Sequence, residues 1–169
     1  MERDPDSNCH HGNSPFPGNV KISNNTFTLQ KVSIAGDADY EDVSGILINL
    51  HYQNASDFEV NNNTITNSST VADRTGSSGV EFWSIQTAVG VNTSGNVISG
   101  FESGYQMWNC PTTNTISVKD GSVTGSDYRV FANNYDGYNS NADPSSYIVD
   151  GVDLINTTTG IYIKQNDSN

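Results

Sequence analysis

Apolar residues alternate with polar ones in short runs along this chain, and an asparagine or a glycine interrupts each run. The clearest example has Phe58 and Val60 alternating with polar residues, three asparagines at 61–63, and then Ile65. Alternation with a period of two predicts a half-buried strand. Asparagine tolerates the left-handed backbone that a sharp bend requires. The run therefore predicts two short strands joined by a tight corner.

Versions of this strand–corner–strand unit recur through the sequence. The other apolar positions around predicted corners are Val20, Ile22 and Phe27; Val89, Val91 and Ile98, with two extra residues at the bend; Ile116, Val118 and Val123; Ile148 and Leu154. The positions taken as equivalent are Phe27, Ile65, Ile98, Val123 and Leu154, which gives repeat lengths of 38, 33, 25 and 31 residues. Strands of constant length joined by variable connections are typical of a β-solenoid, whose turns bury their inner face by stacking.

A second phrase follows each corner: a small or turn-forming residue, an apolar residue, any residue, and another apolar residue. It occurs at 45–48, 79–82, 104–107, 127–130 and 160–163. Five corners alternating with five phrases predict an all-β solenoid of about five turns. The low hydrophobic content of 34% agrees with this fold, because a solenoid core is a narrow column filled by alternate residues.

The Asn-Thr-Phe corner at 25–27, the Asn-Thr-Ile corner at 63–65 and the Gly-Ile-x-Ile strands resemble the right-handed parallel β-helix superfamily. Pectate lyases, polygalacturonases and phage tailspikes have this architecture. The resemblance covers residues 18–165 and implies three parallel sheets along one axis. It also implies a substrate groove along the sheet that begins with the Gly-Ile-x-Ile phrase. No catalytic motif of a particular family accompanies it.

We therefore predict a right-handed parallel β-helix over residues 19–169, either complete or a segment of a longer solenoid. Residues 1–18 are polar and proline-containing, and we expect them to form a linker or an N-terminal cap. The last predicted strand has nothing stacked beyond it. Open solenoid ends expose unpaired strand edges, so we expect further turns or another subunit, as in a homo-oligomer, to cover them.

Charge and length exclude several classes of function. Seven basic and nineteen acidic residues give a net charge of −12, which argues against nucleic-acid binding because a phosphate backbone must be neutralised by Lys and Arg. No apolar run approaches the length of a membrane-spanning helix, so membrane insertion is not expected. Cys9 and Cys110 could form one disulfide, and the sequence does not decide whether they do.

An acidic cluster in the connection between Leu29 and Ser44 is the candidate metal site. Its members are Asp37, Asp39, Glu41 and Asp42. Oxygen-rich loops suit Ca²⁺, the one cofactor that the sequence suggests. The alternative interpretation is a solvated acidic loop.

The alternation also predicts which side chains of the second phrase point outward. The predicted inward pairs are Ile46 and Ile48, Val80 and Phe82, Tyr105 and Met107, Tyr128 and Val130, Ile161 and Ile163. The residues between them should form an outward column of Leu47, Glu81, Gln106, Arg129 and Tyr162. The next outward column should contain Asn49, Trp83, Trp108, Phe131 and Lys164. Glu81 and Arg129 would then lie about 10 Å apart.

An aromatic stripe of Trp83, Trp108 and Phe131 on a polar protein indicates a contact surface. Flat aromatic rings suit the apolar faces of sugars, and the charged and amide groups beside them could bond hydroxyls or carboxylates. The residues expected to contribute besides the stripe are Glu81, Gln106, Arg129, Tyr162, Lys164, and Tyr135 and Tyr138 from the following loop. The favoured function is a polysaccharide-binding module, either extracellular or on a cell or virion surface. Alternatively, a loop covers both tryptophans and forms a side core.

Two further functions stay open. A polysaccharide lyase acting on a uronate polymer would need a base and positive charge to stabilise the anion, for which the candidate catalytic residues are Arg129, Lys164 and Glu81. Many lyases of the superfamily that the chain resembles use Arg or Lys with Ca²⁺, and the resemblance implies the same for a lyase here. A glycoside hydrolase is less favoured because it needs two carboxylates, and on the predicted face only Glu81 stands out, with Asp127 and Glu102 near its rim. The third function is a structural or adhesive segment of a surface fibre or tailspike.

Overall fold

The computed structural model describes residues 20–30, 43–49, 58–83, 91–108, 110, 115–135, 146–156 and 158–166. Within these ranges the chain forms fifteen strands and one short 3-10 helix at Val71–Arg74. In chain order the strands are β1 (Val20–Ser23), β2 (Thr26–Leu29), β3 (Val43–Asn49), β4 (Phe58–Asn61), β5 (Thr64–Asn67), β6 (Ser77–Trp83), β7 (Val91–Ser94), β8 (Val97–Ser99), β9 (Ser103–Trp108), β10 (Thr115–Lys119), β11 (Ser122–Thr124), β12 (Tyr128–Tyr135), β13 (Ser146–Asp150), β14 (Asp153–Ile155) and β15 (Thr159–Asn166).

Every third strand joins the same sheet, so three strands make one turn and five turns stack along an axis. Sheet 1 contains β1, β4, β7, β10 and β13; sheet 2 contains β2, β5, β8, β11 and β14; sheet 3 contains β3, β6, β9, β12 and β15. All pairings within the three sheets are parallel. The predicted all-β parallel solenoid of about five turns is confirmed.

The register in sheet 2 confirms the predicted repeat lengths. The residues in one column are Phe27, Ile65, Ile98, Val123 and Leu154, as the sequence predicts. The corner between sheets 1 and 2 has the same length in every turn. Its left-handed position is occupied in turn by Asn24, Asn62, Gly95, Asp120 and Gly151, with φ between 51° and 66°. These residue types are the ones that adopt positive φ at least cost.

Behind this corner, three asparagines form a ladder along the axis. The Oδ1 atom of Asn63 accepts hydrogen bonds from the amide and the side chain of Asn25, at 3.0 and 3.1 Å. The Oδ1 atom of Asn96 accepts the same two bonds from Asn63, both at 3.0 Å. This asparagine ladder continues until Gly121 takes the equivalent place in the fourth turn.

Two of the predicted corners are wrong in register. In the third turn, Val91 rather than Val89 lies opposite Phe58, and Thr93 follows it inward, so this corner has no extra residues. The reason is that a buried threonine takes a place where the sequence pattern requires an apolar residue. In the fifth turn, Ile148 is exposed, while its two neighbours, Tyr147 and Val149, pack against the core.

The core is a thin column of side chains from all three sheets, and Ile46, Phe82, Met107 and Val130 are buried in it as predicted. The fourth turn of sheet 3 departs from the prediction by two residues. Val130 and Ala132, not Tyr128 and Val130, occupy the inward positions there.

The fifth turn leaves its inward positions open. Ile161 and Ile163 are 47% and 61% exposed, whereas Val130 and Ala132, their partners in the fourth turn, are buried. The sequence leads us to expect that something covers this end. Further turns or a second subunit stay predictions for that role.

Several sequence expectations fall outside the described residues. They are the linker or cap at 1–18, Cys9, and the acidic cluster of Asp37, Asp39, Glu41 and Asp42. Cys110 is described; it is buried, and its thiol donates to the carbonyl oxygens of Phe82 and Trp108, both at 3.4 Å. In the part of the chain that the structure describes, no helix is long and apolar enough to cross a membrane.

Candidate functional site

The outer face of sheet 3 carries the predicted outward residues, with two replacements in the fourth turn. The column running across the sheet contains Leu47, Glu81, Gln106, Phe131 and Tyr162. Phe131 therefore takes the place predicted for Arg129. In the next column Trp83 and Trp108 are neighbours, and Asn133 takes the place predicted for Phe131.

Arg129 does not point outward, so its predicted place on this face is wrong. The register puts it opposite Gly104 and Gly160, and its side chain is 0% exposed. The guanidinium donates to the carbonyl oxygen of Val123 at 2.8 Å and to that of Ile155. Burial lowers the pKa of Arg129 from its ordinary value. The residue ties the fourth turn to the fifth from inside the solenoid, and the basis for giving it a catalytic role is lost.

An aromatic cluster covers the part of this face nearest the last turns. Phe131 lies at its centre, with ring centroids 5.6 Å from Trp108, 5.4 Å from Tyr128 and 5.5 Å from Tyr162. The Phe131 and Tyr162 rings are stacked with 7° between their planes, while Trp108 and Tyr128 are inclined to Phe131 by 63° and 50°. The inclined rings make a corner rather than a flat platform. Trp83, which is 38% exposed, extends the aromatic surface along the axis.

A cleft of about 150 Å³ opens at this corner. Its described lining residues are Gly76, Glu102, Ser103, Gln106, Trp108, Tyr128 and Phe131. Three of the seven are members of the aromatic cluster, and four carry or expose polar groups. We call this the aromatic cleft. Ligand sites commonly combine apolar walls with a few fixed polar groups.

The carboxylate of Glu102 is held in place from the preceding turn. Its Oε2 atom accepts a hydrogen bond from the amide of Gly76. The amide of Glu102 donates to Ser77 Oγ at 3.1 Å, and Ser77 Oγ in turn donates to the carbonyl of Arg74. Two turns of the solenoid thus fix one carboxylate oxygen against the backbone. No hydrogen bond to the other oxygen, Oε1, is formed within the described residues.

Two polar side chains on the same face are buried against serines. Glu81 is 2% exposed, and one of its carboxylate oxygens accepts a hydrogen bond from Ser44 Oγ. Gln106 lines the cleft, and its Oε1 atom accepts from Ser78 Oγ at 2.8 Å. The side-chain oxygen of Gln106 is therefore engaged with the protein. Its amide nitrogen is the group that can donate to a ligand.

Some predicted site residues lie outside what the structure describes. The side chains of Lys164 and Tyr135, the whole of Tyr138, and the candidate Ca²⁺ cluster belong to this group. Across the described ranges, no group of three or more His, Cys, Asp or Glu residues could hold a metal ion. The roles predicted for these residues stay predictions.

Tyr128 and Glu102 line the cleft but were not predicted as site residues. Tyr128 was expected to point inward, because it lies two residues before Val130 in an alternating strand. Its ring instead packs on Phe131 and Tyr162. Glu102 lies just before β9, and the sequence placed it near the rim of the predicted face without a role in binding. The pairing of Tyr128 with Ser103 brings the segments before β9 and β12 together. Only the register of neighbouring turns reveals this contact.

Comparisons with protein-family models, with curated proteins and with solved structures find no match to this chain. The fold itself, a parallel β-solenoid, is the class that the geometry establishes.

Proposed function

We propose that this solenoid is a carbohydrate-binding module that holds a polysaccharide along the outer face of sheet 3. The aromatic cleft is the observation that carries this proposal. The chain is strongly polar, with a mean hydropathy of −0.51, yet it places two tryptophans, two tyrosines and a phenylalanine together on one face. An aromatic surface of this kind, rimmed by polar groups, marks a contact site.

The groups in the aromatic cleft match the two surfaces of a sugar ring. The rings of Trp108, Tyr128 and Phe131 can pack against its C–H faces, and the Gln106 amide nitrogen and the Glu102 carboxylate can bond its hydroxyls. The cleft is smaller than the roughly 300 Å³ at which pockets for drug-sized ligands begin. It therefore suits one sugar unit of a chain, while Trp83 and Tyr162 extend the surface for its neighbours.

The three parallel sheets and the asparagine ladder support the finer assignment to the right-handed parallel β-helix superfamily, which we also propose. Polysaccharide is the partner this implies, and an extracellular or cell- or virion-surface location follows from it. A lyase acting on uronates is the less favoured alternative. One of its expected stabilising cations, Arg129, is engaged with main-chain carbonyls in the core, and the charged group lining the cleft is the anionic Glu102.

Intrinsic tryptophan fluorescence tests the proposal, because the only two tryptophans of the chain, Trp83 and Trp108, both lie on this face. A Trp83→Phe variant leaves Trp108 as the single reporter. Titration with oligosaccharides should change its emission, and Phe131→Ala should weaken the binding at least about tenfold, the range expected for loss of a central aromatic contact. Val97→Ala, which trims an exposed residue of sheet 2, is the matched control.

The same titrations separate the alternatives. Unchanged emission across neutral, basic and acidic oligosaccharides would overturn the proposal, as would equal binding by the Phe131→Ala and control variants. Release of unsaturated products from uronate polymers, followed by ultraviolet absorbance, would establish a lyase instead.

A further inference from the structure

We propose, building on the carbohydrate-binding function above, that the aromatic cleft recognises a sugar bearing a free ammonium group. The ligand would be a cationic amino-sugar polymer rather than a uronate. Three features of the described residues support this choice: the fixed carboxylate of Glu102, the inclined aromatic rings, and the placement of the basic side chains.

Glu102 supplies a carboxylate oriented for a cation. The Gly76 amide fixes Oε2, so the side chain cannot turn away freely, and Glu102 lines the cleft while its Oε1 accepts no hydrogen bond from the described residues. A hydrogen bond between charged partners is stronger than one to a neutral hydroxyl. An ammonium group is therefore the sugar substituent that gains most from this oxygen.

The aromatic rings favour the same substituent. The face of an aromatic ring attracts a cation, and three aromatic residues line the cleft, two of them with rings inclined to the third. Trp108 and Tyr128 are tilted by 63° and 50° against Phe131. A flat stacking platform would require rings lying parallel. Inclined rings and a carboxylate that line the same cleft resemble the aromatic sites that proteins use to hold ammonium groups.

Three of the basic side chains that the structure describes have partners away from the cleft. Arg129 is enclosed in the core, and Arg74, two residues before Gly76, donates to the carbonyl of Gly125. Lys21 pairs with Glu59 on sheet 1, at 3.0 Å. No Lys or Arg is among the described residues that line the cleft. A uronate would thus bring its carboxylate towards Glu102 on a protein of net charge −12, and like charges repel.

Three oligosaccharides of equal length test this inference: a glucosamine tetramer, its N-acetylated twin and a galacturonate tetramer. Each is titrated at pH 6, where the glucosamine amine is protonated, and Trp108 fluorescence reports binding. We expect the glucosamine tetramer to bind about tenfold more tightly than its N-acetylated twin, the factor expected for one charge-assisted hydrogen bond. The galacturonate tetramer should bind most weakly.

Two variants test whether the Glu102 carboxylate causes the preference for the glucosamine tetramer. Glu102→Gln should weaken binding of the glucosamine tetramer about tenfold and change binding of the N-acetylated twin less than about twofold. Glu59→Gln removes the same charge from sheet 1 and should leave both affinities unchanged, which separates the local carboxylate from the net charge. Added salt should weaken binding of the glucosamine tetramer more than that of its twin.

The outcomes distinguish this inference from the function on which it rests. The N-acetylated or the galacturonate tetramer could bind as tightly as the glucosamine tetramer and lose affinity in the Phe131→Ala variant. That result would overturn the ammonium inference and support carbohydrate binding. Choline binding as tightly as the glucosamine tetramer would overturn the assignment to a sugar. If none of the three tetramers changes the Trp108 emission, both proposals are wrong.

Discussion

Replacing Asn63 with alanine removes the middle of the asparagine ladder and should destabilise the solenoid strongly. The Asn63 side chain is 1% exposed. Its Oδ1 atom accepts two hydrogen bonds from Asn25, and its Nδ2 atom donates to the carbonyl of Ile22 at 2.9 Å and to Asn96 Oδ1 at 3.0 Å. Four hydrogen bonds that connect three turns would be lost together.

The expected loss is about 3 kcal/mol. A hydrogen bond contributes a net of about 1 kcal/mol, and a buried group left without a partner costs about 1–3 kcal/mol. The Ile22 carbonyl and the Asn25 amide would both lose a partner, although the contributions are not fully additive. Asn63 does not have a positive φ, unlike its neighbour Asn62. Alanine therefore adds no left-handed strain, and the change reports the hydrogen bonds.

Asn25→Ala is the matched control, because Asn25 belongs to the same ladder but is exposed. Its side chain donates to the carbonyl of Ser23 and to Asn63 Oδ1, both at 3.1 Å. Water can replace an exposed donor, so the expected loss is about 0.5 kcal/mol.

Urea unfolding followed by circular dichroism measures both changes, and an unchanged m-value would show that the unfolding transition still exposes the same surface. Equal losses for the two variants, or a loss below about 1 kcal/mol for Asn63→Ala, would refute the account of the asparagine ladder.

Three further predictions concern the core and can be measured by the same unfolding assay. A Cβ atom at Gly79 would overlap a methyl group of Ile98, whereas one at Gly160, in the same column, meets only an ordinary van der Waals contact. Gly79→Ala should therefore lower the free energy of unfolding by more than about 2 kcal/mol and Gly160→Ala by less than about 0.5 kcal/mol. Similar losses for the two variants would contradict the close packing at Gly79. Arg129→Met keeps much of the side-chain volume but removes donors from two main-chain carbonyls, so we expect a loss of about 2 kcal/mol; a more stable variant would show that those bonds do not hold the last turns together. Burial raises the pKa of Tyr105 above its ordinary value of 10.0, so the unfolded chain releases this proton first and stability falls as the pH rises above about 10; Tyr105→Phe should reduce that fall, and an identical pH profile would contradict the assignment.

The periodic part of the fold was predictable from the sequence because one column of apolar residues recurs at every corner. Connections of different length separate Phe27, Ile65 and Ile98, yet each of these residues follows an asparagine or glycine corner of constant length. Stacking requires this repetition, since a single turn cannot bury its own inner face. The sequence therefore records the repeat even where the connections differ greatly.

The errors arise where a polar residue occupies an inward position. Thr93 does so in the third turn. The prediction took Val89 and Val91 as the inward pair, which placed the strand two residues too early. Arg129 does so in the fourth turn, where the other turns have glycine. A charged residue between two apolar ones predicts an outward side chain. Carbonyl oxygens from two turns instead satisfy the buried guanidinium, and the alternation in a single strand contains no information about those partners.

The candidate site was predictable in location but not in composition. Trp83 and Trp108 are neighbours on the outer face of sheet 3, as predicted. Tyr128 and Glu102 join the cleft only because the turns pair in a register that brings the segment before β9 against the start of β12. Their roles depend on contacts between turns, which strand alternation does not specify.

A crystal structure of the protein with the oligosaccharide that binds most tightly in the fluorescence titrations would test the carbohydrate-binding proposal most directly. The account predicts one sugar unit enclosed by Trp108, Tyr128 and Phe131, with the chain continuing over the outer face of sheet 3. An oligosaccharide bound on sheet 1, on sheet 2 or at the open end of the fifth turn would contradict it.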